Sequence, residues 1–461
     1  MAGPNFSPGK AMAQYLSRHA EPEAEAADRL EGEFGHALQI PAYGETESLF
    51  GTLASVPAGP LGEVLIVVVL NARADSPPEV HGANRTAREK ITSAVSSPRV
   101  ISSDSAVSVF PLPLGKLVLI DRALPGRFLP KGQGVGLARK IGCDFLLRLH
   151  ATGRLASPWI HCTDADTLLP NDYFDQLRGR DDPEEAAAIY FFEHRFEEDP
   201  TLAEAARLYE ISLRYYVLGL AWADSPYAYQ SMGSCLAIRP AAYAEVRGFP
   251  KRNAAEDFYV LDKLAKVGRI ARLAGSPLQL EGRISTRVPF GTGKALSDLV
   301  SKRRGLESFR LYHPAVFAHI AAWLRVLAAI ARSGGRMQGP LGQFPEGSPF
   351  FQSDLLQDAL ATMGSFEAVR EAIGKSKDEP TLLRHLHTWF DAFRTLKLVH
   401  ALRDGGLPSL PWREALAEAP FTNLTASTEE DPEKLRKILA EEERKLAEMP
   451  AGVPAVEPER A

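Results

Sequence analysis

Cysteine is scarce in this chain, with Cys143, Cys162 and Cys235 the only three in 461 residues. They are odd in number and far apart, which excludes a disulfide framework and the paired spacing of a zinc site and leads us to expect a reducing cytoplasm. A basic excess is also missing. Lys and Arg total 53 against 58 Asp and Glu, for a formal net charge of −5, so a general nucleic-acid binder is excluded. The opening MAGPNFSPGKAMAQ lacks the apolar core of a secretory signal, and no internal repeat is visible. Long hydrophobic runs are nearly absent as well. The best membrane candidate is Val316–Ala331, VFAHIAAWLRVLAAIA. It is short for a span and carries His319 and Arg325, so a buried helix is expected in preference to one lying on a membrane surface.

What is present is an ordinary globular composition, 45% hydrophobic and 24% charged, in a length that suits two or three domains. The first 35 residues are polar and helical in pattern. From about residue 36, short apolar runs alternate with helical stretches. Strands are expected at His36–Ala42, Val64–Asn71, Leu117–Asp121, Trp159–Thr163, Ala187–Glu193 and Ser234–Ile238. The second, VLIVVVLN, has the continuous apolar character of a strand covered on both faces. Helices are expected at Glu47–Ser55, Gly82–Ala94, Gly136–Thr152, Thr201–Ala221 and Ala254–Val267. This order argues for an α/β domain with a mostly parallel sheet. The expected organisation is an N-terminal extension (1–35), an α/β domain (36–295) and a helical C-terminal region (296–450) with a Gly/Pro-rich linker at 333–349. A frayed tail (451–461) completes it.

Ligands of open parallel sheets sit at the C-terminal ends of the strands. Three polar clusters fall there: Tyr43-Gly44-Glu45, Asn71-Ala72-Arg73 and Asp164-Ala165-Asp166. A bend between two aspartates at i and i+2 can turn both toward one point, a donor set suited to Mg²⁺ or Mn²⁺ and, through it, a diphosphate. Two rival readings fail. A haloacid-dehalogenase phosphatase needs D-x-D-x-T or D-x-D-x-V, whereas here threonine comes one place early, at Thr167, and Leu168 occupies the fifth position. The glycines of Gly132–Gly136 follow PGRFLPK rather than a strand, so a dinucleotide fingerprint lacks its context.

Four segments in order carry a resemblance. They are IPAYGETESLFGTLAS, GVGLARKIGCDFLL, WIHCTDADTLLPNDYF and GSCLAIRPAAYAEVRGFPKRNAAEDFYVLDKLAKVG. Together they resemble a family 2 type glycosyltransferase over roughly residues 36–290. The resemblance implies a GT-A type nucleotide-diphospho-sugar transferase fold with an added helical C-terminal region. It also implies Mn²⁺ or Mg²⁺ as cofactor, a nucleotide-diphosphate sugar donor and a hydroxyl acceptor, whether saccharide, small molecule or lipid-linked. Pro41, Ala42, Tyr43 and Glu45 would line the nucleotide pocket, with Asn71 where the family commonly has an aspartate. Arg139 would lie near the base or diphosphate, and Asp164 near the ribose or metal. Asp166 would bind the metal directly, Asp257 would be the general base and Glu256 would position it or the acceptor. Departures are Asn71, Lys140 in place of a usual Asn, the insertion HATGRLAS (150–157), and no histidine metal ligand near residues 281–296.

The basic, Gly-rich EGRISTRVPFGTGKAL (281–296), with Arg283, Arg287 and Lys294, fits either a loop closing over a diphosphate, with Arg287 as a contact, or a solvated surface loop. The expected activity is metal-dependent glycosyl transfer, inverting, in the cytoplasm or on the cytoplasmic face of a membrane. The alternatives are a retaining transferase and a non-catalytic nucleotide-sugar-binding module. A nucleotidyltransferase is disfavoured because IPAYGE is not its Gly-rich basic loop.

Overall fold

The computed structural model describes residues 8–94, 98–104, 106–195, 199–282, 292–301, 309–335, 353–422, 424, 431–449 and 451–452. Among the described residues, two sheets take up twelve strands, and a short pair, Arg310–Leu311 with Leu410–Pro411, forms a third; the twelve are β1 (His36–Ala42), β2 (Val64–Asn71), β3 (Arg99–Ser102), β4 (Val107–Leu112), β5 (Gly115–Arg122), β6 (Ile160–Cys162), β7 (Thr167–Leu168), β8 (Glu185–Ile189), β9 (Phe192–Arg195), β10 (Leu236–Ile238), β11 (Arg269–Arg272) and β12 (Leu278–Glu281). The larger sheet runs β11-β8-β10-β6-β1-β2-β5-β4-β3. Seven of these nine strands share one direction, and β10 and β4 run against it. A smaller sheet, β7-β12-β9, stands beside it. The chain is therefore an α/β protein with a largely parallel central sheet.

Every residue of β2 is buried, as its unbroken Val/Leu/Ile run requires of a central strand covered on both faces. Helices α1 (Pro8–Arg18), α2 (Glu47–Ser55), α3 (Pro78–Ser93), α4 (Val135–Ala151), α5 (Pro200–Trp222), α6 (Pro240–Glu245) and α7 (Glu256–Leu264) flank the sheets. Close approach of α4 to β1 is possible because residue 142 is glycine: a Cβ there would lie 2.2 Å from the Gln39 side chain.

Several sequence expectations change. The run at Ala187–Glu193 is two strands, β8 in the large sheet and β9 in the small one, because the chain switches sheets at Tyr190-Phe191. The hairpin β3–β4 adds an antiparallel edge beyond β5. Helix α7 starts at Glu256 rather than Ala254 because Ala255 takes a left-handed conformation, φ 60°. Ala451 exchanges hydrogen bonds with Ile270 at the β11 edge, and residues 453–461 lie outside the described residues. Of the expected linker, 336–349 lie outside them too.

Downstream come α8 (Thr292–Ser301), α9 (Ala315–Arg332), α10 (Ser353–Thr362), α11 (Ser365–Lys375), α12 (Glu379–Trp389), α13 (Ala392–Gly405), α14 (Trp412–Glu418) and α15 (Pro432–Lys445). Helices α9 to α15 and one side of α5 enclose a second apolar core around Phe317, Trp323, Leu398 and Leu439. Among the described residues α9 alone is long and apolar enough to cross a membrane, and two-thirds of it (67%) is buried in this core. Its Phe317 ring packs on α5 at Gly219, where a Cβ would come within 2.6 Å.

Candidate functional site

A cleft of about 680 Å³ opens at the C-terminal ends of β1, β2 and β6. Each wall is set by local chain geometry. After β1, Gly44 turns the chain at φ 66° and donates its N–H to Asn84 Oδ1 (3.0 Å). This turn presents Tyr43 and Glu45 to the cleft. Their side chains are already anchored, Tyr43 Oη to Ser76 Oγ (3.1 Å) and Glu45 Oε2 accepting from Ser48 Oγ (2.6 Å).

The two aspartates occupy the crossover from β6 in the large sheet to β7 in the small one. Ala165 is buried while Asp164 and Asp166 remain half-buried on the cleft, so the i, i+2 pair faces one space. Helix α2 fixes the segment that follows: Thr167 N–H donates to Thr52 Oγ1 (3.2 Å) and Leu169 N–H to Ser55 Oγ (3.0 Å).

Arg139, in the second turn of α4, joins the two halves of the cleft. Its Nη2 donates to Asp164 Oδ1 (2.6 Å) and its Nε to Glu256 Oε1 (3.0 Å). The guanidinium is nearly fully buried and its Nη1 has no partner. Gly233 is packed against it, since a Cβ there would sit 2.4 Å from Nη2. The first residues of α4 rest on the loop before α7, with Gly136 N–H donating to Arg252 O (3.1 Å) and no room for a Cβ at Gly136, 2.3 Å from Pro250 O. Gly136 therefore serves backbone-on-backbone packing, while Gly233 makes room for the guanidinium.

At the start of α7 the Asp257 carboxylate accepts from Gly233 N–H (3.1 Å) and from its own neighbour, Phe258 N–H (2.8 Å). The preceding left-handed Ala255 is a strained non-glycine conformation of the kind held at functional sites. Asp164, Glu256 and Asp257 share one guanidinium, so full ionisation would leave a net charge of −2 around Arg139. Burial, with repulsion from Asp257 and against the pull of Arg139, pushes Glu256 up to about 7. Burial raises Asp257 as well, with Arg139 and the two N–H donors opposing. Burial disfavours the Arg139 charge, but Asp164 and Glu256 outweigh it and hold its proton more tightly than usual.

The described lining residues include six carboxylates (Glu45, Asp164, Asp166, Glu256, Asp257, Glu281) and two guanidiniums (Arg73, Arg139). A diphosphate entering so acidic a cleft needs a cation with it. Hard divalent ions are commonly held by one or two carboxylates and substrate phosphates, and Asp166 with Asp164 supplies that set. Among the described residues no cluster of three or more His, Cys, Asp or Glu is arranged to hold a metal alone.

Neither a protein-family model nor a curated protein sequence matches the chain. Solved structures do. It is similar to mannosyltransferase PcManGT from Pyrobaculum calidifontis in complex with GDP-Man and Mn²⁺, at 16% identity over 95% of each chain with a TM-score of 0.31. TarS of S. aureus in complex with UDP-GlcNAc gives 12% identity over 90% of this chain and 91% of that one, TM-score 0.31. Glucosyl-3-phosphoglycerate synthase from Mycobacterium tuberculosis, in complex with Mn²⁺, UDP and glucosyl-3-phosphoglycerate, gives 16% over 61% and 76%, TM-score 0.28. Likeness at this level carries no argument about the site, which stands on the distances above.

Of the residues singled out from sequence, Pro41, Tyr43, Glu45, Asn71, Arg139, Asp164, Asp166, Glu256 and Asp257 line this cleft. Ala42 does not line it: its side chain is fully buried in the core. Asn71 reaches the cleft, but its amide nitrogen is engaged by Ala42 O (2.9 Å) and Val69 O (3.2 Å), which ties the ends of β1 and β2 together. Arg287 lies outside the described residues. Sequence reasoning missed His194, Tyr209, Tyr216, Tyr229 and Gln230, which form the far wall. A signal for the last two existed in the aromatic YAYQ just before the glycine of SMGS; His194 had none, because its partner Glu210 is sixteen residues away across a sheet-to-helix connection.

Proposed function

We propose that the chain is a GT-A type, family 2-like glycosyltransferase that moves a sugar from a nucleotide-diphosphate donor to a hydroxyl acceptor with inversion. The observation that carries this reading is the Arg139 bridge. It brings the Asp164–Asp166 strand end and the Glu256–Asp257 helix start, ninety-odd residues apart in sequence, onto one cleft at the C-terminal edge of a parallel sheet. Such an edge is where open α/β sheets bind nucleotides.

In this reading Pro41, Tyr43 and Glu45 bound the nucleoside, and the unpartnered Arg139 Nη1 is a donor for the diphosphate or the transferred sugar. Asp166, with Asp164, would hold Mn²⁺ or Mg²⁺, which when bound would supply positive charge to the leaving diphosphate. Asp257 removes the proton from the acceptor hydroxyl. That oxygen bonds to the anomeric carbon as the bond to the diphosphate breaks, and a nucleoside diphosphate departs. The two N–H donors on Asp257 fix its carboxylate for this proton transfer, and burial raises its basicity above that of an ordinary aspartate. We further propose a cytoplasmic location, supported by the three buried free thiols.

Calorimetric titration of UDP and GDP with and without Mn²⁺ tests the donor site. Asp166→Ala should abolish the metal-dependent part of nucleotide affinity; equal affinity with and without metal in the intact chain would remove its ligand role. Asp257→Asn should keep donor affinity and lower transfer by about 10²–10⁴-fold, and loss of donor binding in that variant would make Asp257 structural. The anomeric configuration of the product, read by NMR, decides between inversion and retention.

A further inference from the structure

The far wall of the cleft has a composition the donor reading does not use. On α5, Tyr209, Leu213 and Tyr216 fall at i, i+4 and i+7 and form a half-buried face on the cleft, while Glu210, Arg214 and Tyr215 turn inward. Tyr229 and Gln230 continue the wall, and Leu396 of α13 adds to it. Two of these residues are more than nine-tenths buried and each carries a polar atom without a partner: His194 Nε2 and Tyr229 Oη.

Both are fixed in place. His194 is held at its backbone N–H (3.0 Å) and at Nδ1 (3.1 Å) by Glu210 Oε2. A carboxylate only accepts, so Nδ1 carries the hydrogen and Nε2 is left as the other ring atom able to bond. Gln230 is held through its amide nitrogen by Glu443 Oε1 of α15 (2.9 Å). Leaving a buried polar atom unmatched costs about 1–3 kcal/mol, so a hydroxyl that bonded either atom, in residues that line one cleft wall, would recover part of that cost.

We propose that this wall is the acceptor subsite and that the acceptor is an uncharged saccharide, its ring laid on the tyrosine faces and its hydroxyls read by His194 Nε2 and Tyr229 Oη. The inference rests on the glycosyl-transfer reading and narrows its acceptor. A sugar ring matches both features of the wall, since its C–H faces suit aromatic rings and its hydroxyls both donate and accept. An alkyl chain would cover the rings but leave the two polar atoms unmatched. A phosphorylated acceptor would meet the carboxylates of Asp257 and Glu281 on the same lining. The C-terminal helices thereby acquire a role, because Leu396 and Glu443 belong to them and shape the subsite.

The test uses the intact chain without donor. Binding of methyl α-mannopyranoside, methyl α-glucopyranoside, their 6-phosphates and 1-hexanol is followed by saturation-transfer NMR and calorimetry. UDP and GDP are titrated separately with Mn²⁺. The neutral glycosides should bind, and Tyr229→Phe and His194→Gln should each weaken them by about tenfold, the equivalent of one lost hydrogen bond, while nucleotide affinity stays unchanged. Tyr229→Phe removes a single oxygen, so it keeps the test sound if the histidine variant folds poorly. Failure of the glycosides to bind, preference for the phosphates or hexanol, or glycoside affinity unmoved in both variants overturns the proposal. If glycosides bind and the variants weaken them while no nucleotide binds, the donor reading fails and the subsite stands.

Discussion

Glu256 concentrates the electrostatic tension of the site at one residue. It is almost fully buried, it contacts Arg139 at 3.0 Å, and yet it is pushed up from its ordinary 4.5 to about 7. The first reason is burial, to which repulsion from Asp257 adds, and the single guanidinium of Arg139 does not offset the two. The sign of the consequence follows by linkage. Between pH 4.5 and 7 the native protein binds a proton that the unfolded chain has released, so stability contributed at Glu256 falls as pH rises through that window. Glu256→Gln fixes the neutral form and should flatten this decline. Thermal midpoints at pH 5 and pH 7 check it; an undiminished drop in the variant would assign the pH dependence elsewhere.

Elements whose residues agree at every level were legible from sequence. β1, β2 and α2 have the expected bounds because an unbroken apolar run, a polar turn and a helix start coincide there. The crossing of β8 and β9 between sheets was not legible, because AAIYFFE is an unbroken run of apolar and aromatic residues up to Glu193 and periodicity cannot reveal a change of sheet. The chemical residues Asp164, Asp166, Glu256 and Asp257 stood out by type and spacing. By contrast, His194 and Tyr229 emerge only when α5 and the strands are assembled. The glycines show the same limit. Gly136 reads in sequence as part of a loose glycine cluster, whereas the structure gives it contact with the loop that precedes α7. Gly136→Ala would force its Cβ against Pro250 O, 2.3 Å away, and push the start of α4 from that loop. A loss of about 1–3 kcal/mol is expected, together with weaker transfer because Arg139 and Glu256 separate. Denaturant unfolding and turnover measured on one preparation test both; a variant of unchanged stability and activity would show that the loop yields freely.

Across the whole molecule, the α/β half and the C-terminal helices are joined by a buried ionic network rather than by apolar contact alone. Arg214, fully buried on α5, donates to Glu210 Oε1 (2.7 Å), Glu443 Oε2 (2.6 Å) and Phe192 O (2.7 Å), and Arg436 of α15 donates to Glu210 Oε1 (2.8 Å). Burial opposes ionisation of Glu210, but His194 and the two arginines hold its carboxyl well below the usual range. Its stabilisation is therefore present above about pH 4.5 and is lost as pH falls toward the depressed native value, opposite in sign to that of Glu256. Glu443 is the link through which α15 reaches both Arg214 and the cleft residue Gln230. Glu443→Leu leaves a buried guanidinium short of one carboxylate, and breaking a buried pair from one side costs roughly 3–5 kcal/mol. Glu371→Ala, which breaks an exposed pair with Lys375, is the matched control and should leave the unfolding midpoint where it is. If the network also holds the far wall in shape, Glu443→Leu weakens glycoside binding at temperatures where the chain is still folded and leaves nucleotide affinity intact. A variant that loses stability but binds glycosides as tightly as before would confine the C-terminal helices to support of the fold.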